Sequence, residues 1–246
     1  MTGITIGTDD GVTTLTLDRP EKRNALTAAM YTELADALAS AADDDAVRVV
    51  VVRGAGATFT AGNDIGDFLH EPPIGMDSPV MRFLVALATF PKPLVAAVRG
   101  AAVGIGTTLL LHCDLVYVAD DAVLSVPFVD LGLCPEAASS LLLPEQLGHR
   151  RASAALLLGE PIRAAEALGS GLANAVAAPD EVDARAHAAA RALARKPQSA
   201  ILATKQLLTS GRQPAVLARI EEEAAVFARM LREPAAQQAF AAFLRR

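Results

Sequence analysis

The stretch from Leu94 to Val118, LVAAVRGAAVGIGTTLLLHCDLVYV, decides how this chain folds. Its first five residues are apolar and lie between Pro93 and Arg99, the composition of a short buried strand. A glycine-broken segment follows, Gly100-Ala-Ala-Val-Gly-Ile-Gly106. Gly104 to His112 then reads as a buried helix. Leu115 to Val118 returns to strand composition, and Val123 to Val126 repeats it. Arg99, His112 and Asp114 interrupt the apolar stretch, so it does not read as a membrane span. Strands recurring between helices imply right-handed βαβ-type crossovers and covered sheets, an α/β fold.

Outward from that stretch the same alternation continues. Val47 to Val52 is a β-branched run broken only by Arg48, and it predicts a buried strand. Ile4 to Ile6 and Val12 to Leu17 flank an Asp-Asp-Gly turn at 9–11, the pattern of a hairpin. Thr27 to Ala42 has helical spacing through Met30, Leu34, Ala37, Leu38 and Ala41, with Thr27 placed to cap its start. The region from Phe59 to Pro79 contains Pro72-Pro73 and Gly75 and predicts a mobile loop. Helix resumes before Pro91. From about Asp180 the strand signal fades. Helical patterns take over at 180–195, 199–208, 215–231 and 235–244. A boundary near Arg195-Lys196-Pro197 divides a core, residues 1–195, from a C-terminal helical region, residues 196–246. That region is too small to bury its own apolar faces and must pack on the core or on another subunit.

Composition narrows the function classes. The chain has 246 residues, 52% hydrophobic, enough for a large core. Its net charge of −6 argues against a nucleic-acid partner. Two cysteines, Cys113 and Cys134, predict reduced thiols and a cytoplasmic setting. The first residues carry neither a basic leader nor a long apolar run, so no signal peptide is predicted, and no membrane partner. The final Phe-Leu-Arg-Arg246 is not a peroxisomal address. His70, His112, His149 and His187 show no metal-ligand spacing, and no metal is predicted. His112 reads as a satisfied core residue or a partner for a helix C-terminus.

Several motifs fail on inspection. Gly54-Ala55-Gly56 follows a strand, but Phe59 stands where a dinucleotide fingerprint needs its third glycine. No phosphate-binding G-x-x-x-x-G-K-[ST] and no G-x-S-x-G elbow occurs. What remains is Ala61-Gly-Asn-Asp-Ile65, Gly104-Ile-Gly106 and Glu136. Read blandly, the first is a turn with Asp64 as a helix cap, and the second is a helix start. Glu136 after Pro135 suits the first turn of a helix. Read chemically, two loops able to aim backbone N–H groups and one carboxylate are the parts needed to form and quench an enolate.

Four segments taken together settle between these readings. Leu17-Asp-Arg-Pro-Glu-Lys-Arg-Asn-Ala-Leu26, Phe59-Thr-Ala-Gly-Asn-Asp-Ile65, Pro91-Lys-Pro-Leu-Val-Ala-Ala-Val-Arg-Gly100 and Cys113-Asp114 resemble the crotonase (enoyl-CoA hydratase/isomerase) superfamily, in order and over nearly the whole chain. The resemblance implies a crotonase-like spiral of ββα units, a C-terminal region that builds trimers or hexamers, and an acyl-CoA thioester substrate. Coenzyme A is then part of the substrate, with no separate cofactor. It also implies that the amides of Asn63 and Ile105 hold the thioester oxygen. Ile105 replaces the family's usual glycine and would narrow the approach. Lys22, Arg23 and Ala25 would lie beside the CoA nucleotide, with Ala61, Gly62, Asn63, Asp64 and Ile65 along the pantetheine and thioester. Lys205 would reach a phosphate.

The departures from the family select the reaction. Family hydratases use two glutamates, and those positions are Thr108 and Phe128 here, so hydration by that route is disfavoured. Glu136, within Pro135-Glu-Ala-Ala-Ser-Ser140, resembles the single base of peroxisomal-type Δ3,Δ2-enoyl-CoA isomerases of fatty acid β-oxidation. An apolar pocket with Phe128 and Leu133 would raise the affinity of Glu136 for its proton, and a helix N-terminus would lower it. Two alternatives stay open: a hydratase-like lyase using an atypical acid such as Asp130, and a non-catalytic acyl-CoA-binding protein, since the domain also resembles chromodomain-Y-like proteins.

Overall fold

Asp10 and Gly11 both adopt positive φ, 47° and 78°, as a tight hairpin turn requires. They fold β1 (Ile4–Asp9) back against β2 (Val12–Leu17). The computed structural model describes residues 3–70 and 75–243. After β2 come α1 (Ala28–Asp43), β3 (Val49–Gly54), α2 (Ile65–His70), α3 (Pro79–Thr89) and β4 (Leu94–Val98). Thr27 caps α1, its hydroxyl accepting the Met30 N–H at 3.3 Å. The loop predicted at 59–79 contains α2 and the start of α3, and its residues 71–74 lie outside the described residues.

The chain then alternates between two sheets. β5 (Ala101–Val103) and α4 (Ile105–Thr108) follow β4; β6 (Leu115–Ala119) and β7 (Val123–Ser125) form the next pair. α5 (Ser139–Leu147), α6 (His149–Leu158), β8 (Ile162–Arg163), α7 (Ala164–Gly169), β9 (Ala175–Ala177) and α8 (Val182–Ala194) complete the core. The large sheet has the order β1-β2-β3-β4-β6-β9, parallel from β2 onward; β5, β7 and β8 make the small one. Thr60, after β3, bridges Ala102 of β5, so successive turns contribute one segment to each sheet. This is the crotonase-like spiral of ββα units.

The β-branched run in β3 is explained by burial on both faces. Val50 and Val52 join the main core with α1 and α3, while Val49 and Val51 pack with Val95 and Ala97 on Ala186, Ala190 and Ala194 of α8. The segment 104–112 is not one helix. Four residues of α4 give way to a 3-10 turn at Leu109–His112, which ends at extended Cys113. Asp114 then accepts the Leu94 N–H at 2.7 Å, tying the turn to the start of β4.

Three helices follow: α9 (Gln198–Thr209), α10 (Gln213–Met230) and α11 (Pro234–Phe243). α10 packs on α3 and α5, and α11 on the turn at Val129–Leu131. α9 buries no residue, and Leu207 and Leu208 are 80% and 74% exposed. Among the described residues, no helix is long and apolar enough to cross a membrane.

Candidate active site

The site begins with Asn24, which is fully buried. Its Oδ1 accepts the Arg19 N–H at 3.0 Å, and its Nδ2 donates to the carbonyls of Ala55 and Thr58 at 2.9 and 2.7 Å. Thr60 Oγ1 donates to the Asn24 carbonyl at 2.7 Å. The segments 19–26 and 55–63 are thereby fixed to each other. Gly62, at φ +87°, presses against β5: a Cβ there would lie 2.8 Å from the Val103 carbonyl oxygen. Only glycine allows that approach.

This framework exposes two main-chain donors. Residues 26 and 63 form a parallel bridge in which Leu26 donates to Gly62 O and accepts from Asp64 N, leaving the Asn63 N–H on the opposite edge. Ile105 is the first residue of α4, where helix geometry supplies no acceptor. Among the described residues, neither N–H has a hydrogen-bond acceptor in the protein. Both residues border a cavity of about 450 Å³, together with Ala61, Gly62, Ile65, Phe128 and Leu133. The narrowing expected from Ile105 is relieved, because this side chain is 2% exposed and packs in the main core.

Glu136 occupies a smaller chamber of about 20 Å³, behind the larger one. That is room for about one water. The two spaces share Asn63, Phe68 and Phe227 as walls. Phe68 meets Phe227 edge-on at 6.0 Å and Phe240 at 6.2 Å. Thr108 Oγ1 donates to Glu136 Oε1 at 2.5 Å. Tyr31 OH donates to Asn63 Oδ1, so α1 braces the loop that carries one of the donors.

Burial is the main influence on the Glu136 carboxyl and pushes its pKa up to about 8; the Thr108 bond opposes this and the Glu223 charge adds to it. Glu136 as a residue is half-buried, because part of it borders the small chamber, but dense protein surrounds the carboxyl. Desolvation therefore dominates, though with walls other than Phe128 and Leu133. Phe128 and Leu133 line the larger cavity, whereas Met81, Leu84, Ile220 and Phe227 surround Glu136. The opposing helix N-terminus is absent at this position. The first-turn reading of Glu136 is corrected: α5 begins only at Ser139, after Ala137 and Ala138 at φ 57° and 55°. His112, driven to a pKa of about 4 chiefly by burial, is neutral and donates through Nε2 to the Ala137 carbonyl at 2.8 Å.

The remaining expected residues divide. Lys22 and Arg23 are exposed on the turn beside the site, and the Arg23 carbonyl accepts the Ala61 N–H at 2.9 Å. Ala25 is half-buried on the same turn, its carbonyl accepting from Arg19 Nη1 at 2.7 Å. Asp64 turns away from the cavity, pairing with Arg19 at 3.1 Å and standing at the start of α2. Lys205 stands apart from these residues within the chain. It binds Asp114 Oδ2 and the Lys92 carbonyl, both at 2.7 Å, and borders a separate cavity sharing no residue with the other two. Tyr31, Asn24 and Glu223 were not anticipated. Glu223 had a readable signal: of Glu221, Glu222 and Glu223, it alone falls on the buried stripe Val216, Ile220, Phe227 of α10.

The spiral fold with two main-chain donors opposite a buried carboxyl is that of a crotonase-type protein. The chain belongs to the enoyl-CoA hydratase/isomerase family, whose profile matches residues 7–246. It is 36% identical over 227 residues to enoyl-CoA delta isomerase 2 of Rattus norvegicus, covering 90% of this chain and 58% of that protein. A probable enoyl-CoA hydratase of Rhodobacter capsulatus is 40% identical over 223 residues, 87% of this chain and 84% of the relative. The solved structure of Pseudomonas aeruginosa OdaA superposes with a TM-score of 0.97 at 48% identity, over 99% of each chain. The chain spans only 54–58% of the length of its delta-isomerase relatives.

Proposed function

We propose that the protein is a Δ3,Δ2-enoyl-CoA isomerase with Glu136 as its single acid/base. The carboxylate of Glu136 takes a proton from C2 of a 3-enoyl-CoA. The electron pair of that C–H bond spreads through the C3–C4 double bond and the thioester carbonyl to give a dienolate. The N–H groups of Asn63 and Ile105 receive its oxyanion. Glu136 then returns the proton to C4, and the double bond closes between C2 and C3. No atom is gained or lost, so one carboxyl suffices. Each donor is worth roughly 2.7–4 kcal/mol in such a hole, and a placed general base about 10²–10⁴-fold.

The observation that carries this reading is the Glu136 carboxyl, hydrogen-bonded to Thr108 in a chamber that shares a wall at Asn63 with the cavity both free N–H groups border. A water-activating pair has no counterpart: Thr108 serves the base instead of acting as one, and Phe128 is a wall. The test is a panel of 3-enoyl-CoA esters followed by the absorbance of the conjugated 2-enoyl product. Absence of that product with every ester, in a protein that binds CoA esters, would sink the proposal in favour of a binding protein. Hydration is the second reading, favoured by Asp130 on the larger cavity. Loss of the conjugated absorbance of crotonyl-CoA would support it. We further propose that residues 196–246 build a homotrimer or hexamer, in keeping with the exposed Leu207 and Leu208 of α9. Sedimentation at monomer mass would refute that.

A further inference from the structure

We infer that Glu223 is a positioning residue for this reaction: from α10 it clamps the loop that carries Glu136. The inference rests on the reading of Glu136 as the base. Glu223 is 6% exposed, yet its carboxylate is fully engaged. Oε2 accepts the Ala138 N–H at 2.7 Å and Oε1 the Ser140 N–H at 2.9 Å. Between Glu136 and those bonds lie Ala137 and Ala138, both left-handed. Residues with a Cβ hold that conformation only where their surroundings enforce it. His112 grips the Ala137 carbonyl, and Ser139 Oγ donates to the Glu136 carbonyl at 2.6 Å. Glu223 adds two bonds on the far side of these residues, and Arg219 of the same helix donates to Ser140 Oγ at 3.0 Å.

A simpler role would be a cap for α5 alone, since a carboxylate suits a helix N-terminus. Two observations go beyond capping. Ile220, Ala224 and Phe227 of α10 are walls of the Glu136 chamber, so one helix supplies both the clamp and the enclosure. Glu223 also faces Glu136 as a second negative charge and pushes its proton affinity up. The other titratable groups around Glu136 are Tyr31 from α1, Cys134 two residues before it, and His112 beside Ala137. A clamp that also repels acts on the geometry and on the protonation of the base.

The experiment combines steady-state kinetics from pH 6 to 9.5 with direct titration of Glu136 by carbon-13 NMR, assigned through Glu136→Gln. In Glu223→Gln, kcat should fall by about tenfold or more with KM nearly unchanged, since a small misplacement of a catalytic group is costly. The titration midpoint of Glu136 should move to lower pH. Glu223→Asp keeps the charge and shortens the reach, so kcat should fall while the midpoint stays. Wild-type kcat in either folded variant overturns the inference, as does a Glu223→Gln protein that slows with an unmoved midpoint, which is capping only. Should Glu223→Gln fail to fold, kcat of Glu223→Asp decides. An active Glu136→Gln protein sinks the base itself; an inactive one beside unaffected Glu223 variants sinks this inference alone.

Discussion

The donor half and the acid half of the site are made of different material. The donor half is main chain: two N–H groups, freed by a strand-like bridge at Asn63 and a helix start at Ile105. It needs glycine at Gly62 and a pin at Asn24, but it accepts isoleucine at a donor position because an amide donates whatever its side chain. The acid half is side chain throughout. Glu136 depends on Thr108, on the walls from α3 and α10, and on Glu223 reaching back from 87 residues away in sequence. Backbone chemistry tolerates substitution and is broken by shape; side-chain chemistry is broken by a single atom.

The sharpest test of that contrast is Glu136→Gln. It preserves volume and removes the proposed base, so kcat should fall by at least about 10²–10⁴-fold. Binding of a CoA ester, read by calorimetry, should persist because the donor half is intact. Retained isomerisation would show that the two halves have been misassigned. Gly62→Ala is the matching blow to the donor half. Its Cβ would meet the Val103 oxygen at 2.8 Å in a left-handed conformation, so the loop must shift and Asn63 with it. Loss of an aligned donor costs about 10²–10³ in kcat. Ile105→Gly, by contrast, should leave kcat within a few-fold while lowering the melting temperature, because a buried core side chain is lost. A large kcat effect from Ile105→Gly would contradict the claim that the donor half is indifferent to side chains.

How much of this could be read in advance follows the same division. β3 and the hairpin were legible because two-faced burial and a turn sequence leave local signatures in Val49–Val52 and Asp10-Gly11. β8 and β9 are two and three residues long and carry no periodicity to read. The donor positions were legible only through the family resemblance. Around Glu136 local signals misled: Pro135-Glu136 matches a helix start, but Glu223 and His112 hold the next two residues left-handed and delay the helix to Ser139. The Lys205–Asp114 pair had no local signal either, since the two are 91 residues apart in sequence.

The smallest expected effect isolates one atom of the acid half. Thr108→Val removes the hydroxyl that donates to Glu136 while keeping the shape. That bond lowers the Glu136 pKa against burial, so its loss must raise it further above about 8. In the proposed mechanism Glu136 takes a proton only when ionised. The wild-type kcat/KM should therefore climb with pH through about 8, and the variant's climb should lie at higher pH. Near pH 7 the variant is slower by a few-fold; on the alkaline plateau the two converge. The same proton has a stability consequence of fixed sign. Glu136 holds its proton more tightly folded than unfolded, so its contribution to stability is full below the ordinary value of 4.5 and is lost as pH rises to about 8. Glu136→Gln, which never ionises, should then gain melting temperature over the wild type at pH 9 and little at pH 5. If the gain is equal at both, the carboxyl is not titrating where burial puts it, and the acid half is wetter than its walls imply.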